Sequence, residues 1–212
     1  VAGVIASDIP SFSMIYPHKP APADFPIADI FVERWSPRAM SEQPIEEEKI
    51  QTLFEAARWA PSSSNLQPWH YIYATKDDGA MRLALESLLA EGNSWAKHAY
   101  LLLISFAYTK RKKSDGTFAD NYHHLHDTGA ATYSIALQCE PLGLVGHQMA
   151  GFDMTKANEL LGVPADYVPG SMMAIGYPAD VSILPEPNRS KESALRQRKT
   201  QEEFVYHGRW SN

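Results

Sequence analysis

Four short segments carry side chains able to do chemistry. Arg34-Trp35-Ser36-Pro37-Arg38 sets two guanidinium groups four positions apart with a hydroxyl between them. A guanidinium is a planar fork of donors, so this set suits a phosphate or a pyrimidine-like carbonyl edge; it would equally serve as a solvated basic turn. Pro61, Ser62, Ser63, Ser64 and Asn65 follow a helix end, and Gln67-Pro68-Trp69 leads into a strand. Their hydroxyl, amide and backbone donors match a planar heteroaromatic with carbonyl and nitrogen edges, or make a polar helix-to-strand connection. Gly146 to Asp153 reads GHQMAGFD, where Gln148, Met149 and Ala150 precede Gly151. Gly151 permits close backbone approach to a ligand, or simply closes a tight turn. Arg196-Gln197-Arg198-Lys199 comes late in the chain and by itself reads as a solvated basic strand or loop.

Other polar clusters promise less. His123, His124, His126 and Asp127 offer possible metal ligands, but a metal needs convergent donors and no second cluster supplies them, so none is expected. A place in a substrate pocket suits one of these histidines better. Cys139, the single cysteine, excludes an internal disulfide framework, fits a reducing compartment and reads as a small core residue. Lys110 to Lys113 reads as a solvated loop.

The elements that must position these groups follow from periodicity. Ile50, Leu53, Phe54 and Ala57 form one apolar stripe, predicting a helix over 46–59 that begins among glutamates and stops at Pro61. His70 to Thr75 predicts a strand, Gly79 to Ala90 a helix with Met81, Leu85, Leu88 and Leu89 inward, and Ala99 to Ala107 a buried strand. A polar loop over 108–117 and a long helix over 121–140 follow, the helix rich in small residues at Gly129 to Ser134. A strand over 144–149, a helix over 155–161 and a strand over 171–177 complete the regular part. Residues 1–27 hold five prolines and no period, predicting an extended arm that is either disordered or laid along a partner surface. Residues 28–212 form the expected domain.

Bulk properties bound the function. With 212 residues, 44% hydrophobic and 21% charged, the chain suits one globular domain. A net charge of −6 argues against a general nucleic-acid binder. No apolar run approaches the ~18 residues of a membrane span, and the apolar start is too short for a signal-peptide core, so a cytoplasmic location is expected. Neither G-x-G-x-x-G nor a P-loop occurs, which excludes the usual nucleotide cradles.

In this order the four segments resemble the FMN-dependent nitroreductase family. The resemblance runs from about Ile30 to Trp210. It is carried by R-x-S-x-R at Arg34 to Arg38, APSSSNLQPW at Ala60 to Trp69, GLV at Gly143 to Val145 and AGFD at Ala150 to Asp153. AIGYP at Ala174 to Pro178 and R-x-R-K at Arg196 to Lys199 complete it. It implies an α+β, three-layer fold with a central, mostly antiparallel sheet flanked by helices, in an intertwined homodimer. One tightly but non-covalently bound FMN lies at each end of the shared interface.

Carried over by position, Arg34, Ser36 and Arg198 contact the phosphate and ribityl chain, with Arg196 assisting. Arg38 approaches the N1 and C2 carbonyl side of the ring, where it would stabilise reduced flavin, and Asn65 the other polar edge. Trp35 and Gln67 belong to the same binding set. Pro61, Ser62 and Ser63 reach the flavin of the opposite subunit, and the backbone of Gln148, Met149, Ala150 and Gly151 faces N5. Some relatives carry glutamate where Ala150 stands, a departure expected to affect substrate preference more than FMN binding. A substrate lid is expected from Tyr108 to Tyr122.

The implied activity is an NAD(P)H-dependent, ping-pong oxidoreductase. Hydride reaches flavin N5, the nicotinamide leaves, and a nitroaromatic, quinone or similar small acceptor takes its place. No side chain need act as acid, base or nucleophile. Two alternatives share the fold: an enzyme that breaks down flavin or removes halogen from tyrosine derivatives, and a non-catalytic flavin-binding or redox-sensing module.

Overall fold

The computed structural model describes residues 16–210. Residues 1–15, more than half of the expected arm, lie outside the described residues. The elements in chain order are α1 (Asp29–Glu33), β1 (Met40–Ser41), α2 (Glu47–Arg58), β2 (Trp69–Thr75), α3 (Gly79–Glu86) and β3 (Leu101–Tyr108). There follow β4 (Lys110–Lys112), β5 (Phe118–Asp120), α4 (His124–Cys139), β6 (Val145–Met149), α5 (Met154–Leu160), β7 (Tyr167–Pro178) and α6 (Asn188–Ser193).

A five-stranded sheet forms the middle layer. Its order is β1-β7-β3-β2, with β6 also on β7, and every pairing is antiparallel. β3 is buried along almost its whole length because helices cover both faces of the sheet. Leu102, Ile104 and Phe106 pack on one side with Leu85, Leu88, Trp95 and Ala157. Leu101 and Leu103 pack on the other with Ile50, Leu53 and Ala57 of α2 and Ala131, Ile135 and Cys139 of α4. Met172 and Ala174 against Met173 and Ile175 repeat the alternation on β7. Full burial of each Leu, Ile or Phe stabilises the fold by about 1.5–3 kcal/mol. The expected layering, a mostly antiparallel sheet flanked by helices, is what these pairings form.

β7 starts four residues before the expected strand, and its early part is irregular. The register with β3 shifts between Ile104 and Phe106. There Ser105 Oγ donates to Ser171 O at 3.1 Å and accepts from Ser171 N at 2.9 Å. A Cβ on Gly170 would lie 2.7 Å from that hydroxyl, so glycine is required for the close approach.

Two further expectations need correction. The polar loop over 108–117 is largely a hairpin: β4 pairs with β5 around a turn in which Asp115 Oδ1 accepts from the Thr117 N–H and hydroxyl. Its strands are held by polar pairs such as Lys110 to Asp120 at 2.8 Å, so they carry no apolar period to read. α3 ends at Glu86 and buries Arg82 (3% exposed), whereas Met81 is 44% exposed. The guanidinium donates to the carbonyls of Lys97, Ala99 and Tyr100 and pairs with Glu86 at 2.7 Å. Those carbonyls face inward and need donors, which outweighs the apolar stripe. The arm, from Tyr16 on, lies along its own chain: Ala21 N–H donates to Val32 O and Lys19 Nζ to Glu192 O.

Replacing Arg82 by Met removes these bonds and strands three inward carbonyls. Chemical denaturation should then show a loss of about 3 kcal/mol or more in unfolding free energy; a loss under 1 kcal/mol would show that the carbonyls find other donors.

Candidate active site

The site is organised by one peptide plane, that between Pro37 and Arg38. Its carbonyl accepts a hydrogen bond from His147 Nδ1 at 2.9 Å, and its N–H donates to Glu192 Oε1 at 2.6 Å. His147 stands on β6 just before Gln148 to Gly151, and Glu192 on α6 just before Arg196 to Arg198. Three of the four candidate segments are therefore joined through a single amide.

Around it the cationic groups gather. Arg34, at the C-terminal end of α1, donates from Nη1 to Ser36 Oγ at 3.3 Å and lies 6.0 Å from the Tyr133 ring. Its Nε is buried without a hydrogen-bond partner among the described residues. The Arg38 guanidinium lies 3.6 Å from Glu192 Oε1 and 6.0 Å from the Trp95 ring, whose buried Nε1 is likewise unpartnered. Arg196 donates from Nη1 to Lys19 O at 2.9 Å and Val32 O at 2.6 Å. Burial, then the neighbouring cations of Arg34 and Arg198, pushes its pKa below the usual arginine range. Arg198 is exposed and donates to the adjacent Gln197 carbonyl at 2.7 Å. Trp35 is half-buried beneath the arm, with the Tyr16 ring centroid 5.8 Å away and Lys19 Nζ 4.4 Å from its own ring.

At the β6 end, Gln148 Oε1 accepts from Ser171 Oγ at 3.3 Å and Met149 is buried in the core. Ala150 and Gly151 are exposed. The Gly151 carbonyl accepts from Ala90 N–H and Asn93 Nδ2, while its own N–H has no partner among the described residues. A Cβ at Gly151 would lie 2.7 Å from Asn93 Nδ2, so the Asn93 amide would have to move.

The Pro61 to Gln67 loop stands apart. Among the described residues no hydrogen bond or ion pair ties it to the other three segments. It is anchored instead by Asp127, buried near the start of α4, whose Oδ2 accepts from Ser63 N–H at 3.0 Å. Ser62 Oγ accepts from Gln67 N–H, and Gln67 Nε2 donates to Asn65 O. Ser64, Asn65 and Gln67 all adopt positive φ, 50°, 54° and 47°. Non-glycine residues pay for the left-handed region, and three within four positions mark a backbone shaped for recognition. Pro61, Asn65 and Gln67 are exposed at its surface.

Sequence reasoning missed His147, Glu192, Asp127 and Asn93. Each acts through a partner distant in the chain, so no local pattern reveals it. Of the other histidines, His124 Nδ1 lies 2.6 Å from Asn121 O and His126 Nδ1 3.2 Å from Asp127 Oδ1. Cys139 is buried, and that burial pushes its thiol up to about 12.

Comparison with known proteins shows the family. A family model described as the nitroreductase family matches residues 31–99, which hold the first two candidate segments. A protein of Archaeoglobus fulgidus, provisionally named NADH dehydrogenase/NAD(P)H nitroreductase, is 30% identical over 151 residues, covering 69% of this chain and 82% of the relative. The chain belongs to the nitroreductase family. Within that family it is also similar to a solved structure described as an oxidoreductase containing FMN, at 34% identity and a TM-score of 0.86, covering 93% of this chain and 99% of the other. An iodotyrosine deiodinase of Haliscomenobacter hydrossis is more distant, 23% identical over 181 residues, with 74% of this chain and 82% of that one covered. The chain is thus a nitroreductase-family oxidoreductase, and among the described residues no helix is long and apolar enough to cross a membrane.

His147 gives the site a pH signature. Desolvation lowers its pKa from 6.5 to about 4, opposed by the Pro37 carbonyl and reinforced by the charges of Arg38 and Arg34. The unfolded chain therefore takes up the proton first as pH falls. Stability should drop between pH 6.5 and about 4 with a slope of about one proton per molecule, and His147→Gln should remove that component. An unchanged slope in the variant would assign it elsewhere.

Proposed function

We propose that this chain is an FMN-dependent oxidoreductase that takes electrons from NAD(P)H and delivers them to nitroaromatics, quinones or similar small electron-poor acceptors, working as a homodimer. The observation that carries the reading is the gathering of Arg34, Arg38 and Arg196 about one pinned peptide, with Arg34 Nε buried and unpartnered. Gathered guanidinium groups beside an orphaned donor fit an anionic and hydrogen-bonding cofactor. The free Gly151 N–H adds a donor for a ring nitrogen, and the FMN named for the similar oxidoreductase agrees in kind.

Bound FMN supplies the two-electron relay between nicotinamide and acceptor. The protein's part is binding, orientation and electrostatics. Arg34, Ser36 and the exposed Arg198 hold the phosphate and ribityl chain. Arg196 has carbonyl partners of its own, so it acts chiefly as a brace beneath them. Arg38 keeps positive charge beside the N1 and C2 edge, where electron density gathers on reduction. Gly151 would offer its N–H, and Ala150 space beside it, to the cofactor ring. Cys139 takes no part, because burial keeps it a thiol.

The separated Pro61 to Gln67 loop supports the homodimer. Its Ser62, Ser63 and Asn65 meet no cationic segment among the described residues and would complete the site of a second copy. Surface character agrees: Leu125, Gly129 and Tyr133 line one exposed face of α4, and Leu195 is 88% exposed with Phe204, Val205 and Trp210 on the C-terminal segment. Small and apolar residues on an open helix face suit a close, self-complementary contact.

Purified protein should be yellow, or become so when titrated with FMN, and should bleach with NADH or NADPH. Arg38→Ala should weaken FMN binding about tenfold to a hundredfold, the value of one charge-assisted hydrogen bond at ~2 kcal/mol. A protein that cannot be reconstituted with FMN would overturn the reading. Sedimentation should give twice the chain mass, and a monomer would remove the role of Ser62 and Ser63.

A further inference from the structure

Glu192 lies 154 residues from Arg38 in the chain, and its side chain is 0% exposed. Oε1 takes the Arg38 N–H and stands 3.6 Å from Nη1, but Oε2 is buried with no hydrogen-bond partner among the described residues. Lys19 Nζ does not pair with the carboxylate; it donates to the Glu192 backbone carbonyl at 2.9 Å. Burial pushes the carboxyl pKa up, while Arg38 and Lys19 pull it down.

A tether for one amide needs only one acceptor oxygen, and a neutral side chain would serve. An ionisable group with a second, unsatisfied oxygen is an expensive way to hold a loop. What a carboxylate adds is negative charge behind a guanidinium that is still partly open to solvent on its other side.

We propose that Glu192 is a positioning residue that holds Arg38 in place and offsets part of its charge, thereby setting how strongly the site favours the reduced over the oxidised cofactor. The inference rests on the flavin reading. Glu192 touches no reacting atom and acts through Arg38.

The test is the two-electron midpoint potential of the FMN-loaded protein, measured by dye equilibration. Glu192→Gln should still bind FMN and should raise the potential. Reduced FMN should gain about tenfold over oxidised, which for a two-electron couple is ~30 mV. Glu192→Asp, which keeps the charge, should stay within about twofold of the parent in the same ratio. In an Arg38→Gln background the Glu192→Gln shift should vanish, because the effect passes through the guanidinium. If Gln compromises folding, Glu192→Met makes the same charge change with the same expected sign.

An unchanged potential in Glu192→Gln would overturn the proposal. So would a shift of equal size in the Arg38→Gln background, which would mean a direct field or a general loosening. A parent protein that binds no FMN would instead overturn the flavin reading itself, so the two failures are distinguishable.

Discussion

The site depends on one amide held from both sides. The Pro37–Arg38 peptide gives its oxygen to a half-buried imidazole and its N–H to a fully buried carboxylate. Neither side chain would be tolerated there unpaired, since a buried polar group without a partner costs more than the bond returns. Each therefore holds the loop as firmly as the loop holds it. Because His147 stands on β6 and Glu192 on α6, this one plane links Arg34 to Arg38 with the elements that lead into Gln148 to Gly151 and Arg196 to Arg198.

The sheet makes that constraint possible. β7 pairs with β1, β3 and β6, and β3 is sealed from water on both faces. The C-terminal end of β6 and the approach to β1 consequently emerge from rigid elements, as precise placement of binding groups requires. The Pro61 to Gln67 loop is held differently, by Asp127 at the start of α4 and by its own left-handed residues. Its geometry is fixed in isolation from the cationic cluster.

Much of the framework was legible from local pattern. The apolar stripe of α2, the continuous apolar run of β3 and the small-residue α4 appear within two or three residues of their expected bounds. Periodicity works there because burial is the dominant force on those segments. It failed where polar contacts decide. Arg82 turns inward to satisfy three carbonyls, against the apolar stripe, and the β4–β5 hairpin is stitched by lysine and aspartate. The four candidate segments were legible as motifs, through their resemblance to a family. Their organisers were not: Glu192 meets Arg38 across 154 positions and His147 meets Pro37 across 110, distances at which a single sequence carries no signal.

The most direct test of the central amide is its own proton. In amide-resolved NMR of the protein without added cofactor, the Arg38 N–H should resonate well downfield and exchange slowly with solvent, and Glu192→Ala should abolish both features while leaving core β3 amides protected. An Arg38 amide that exchanges as fast as an open loop in the parent protein, or that is indifferent to Glu192, would contradict the account.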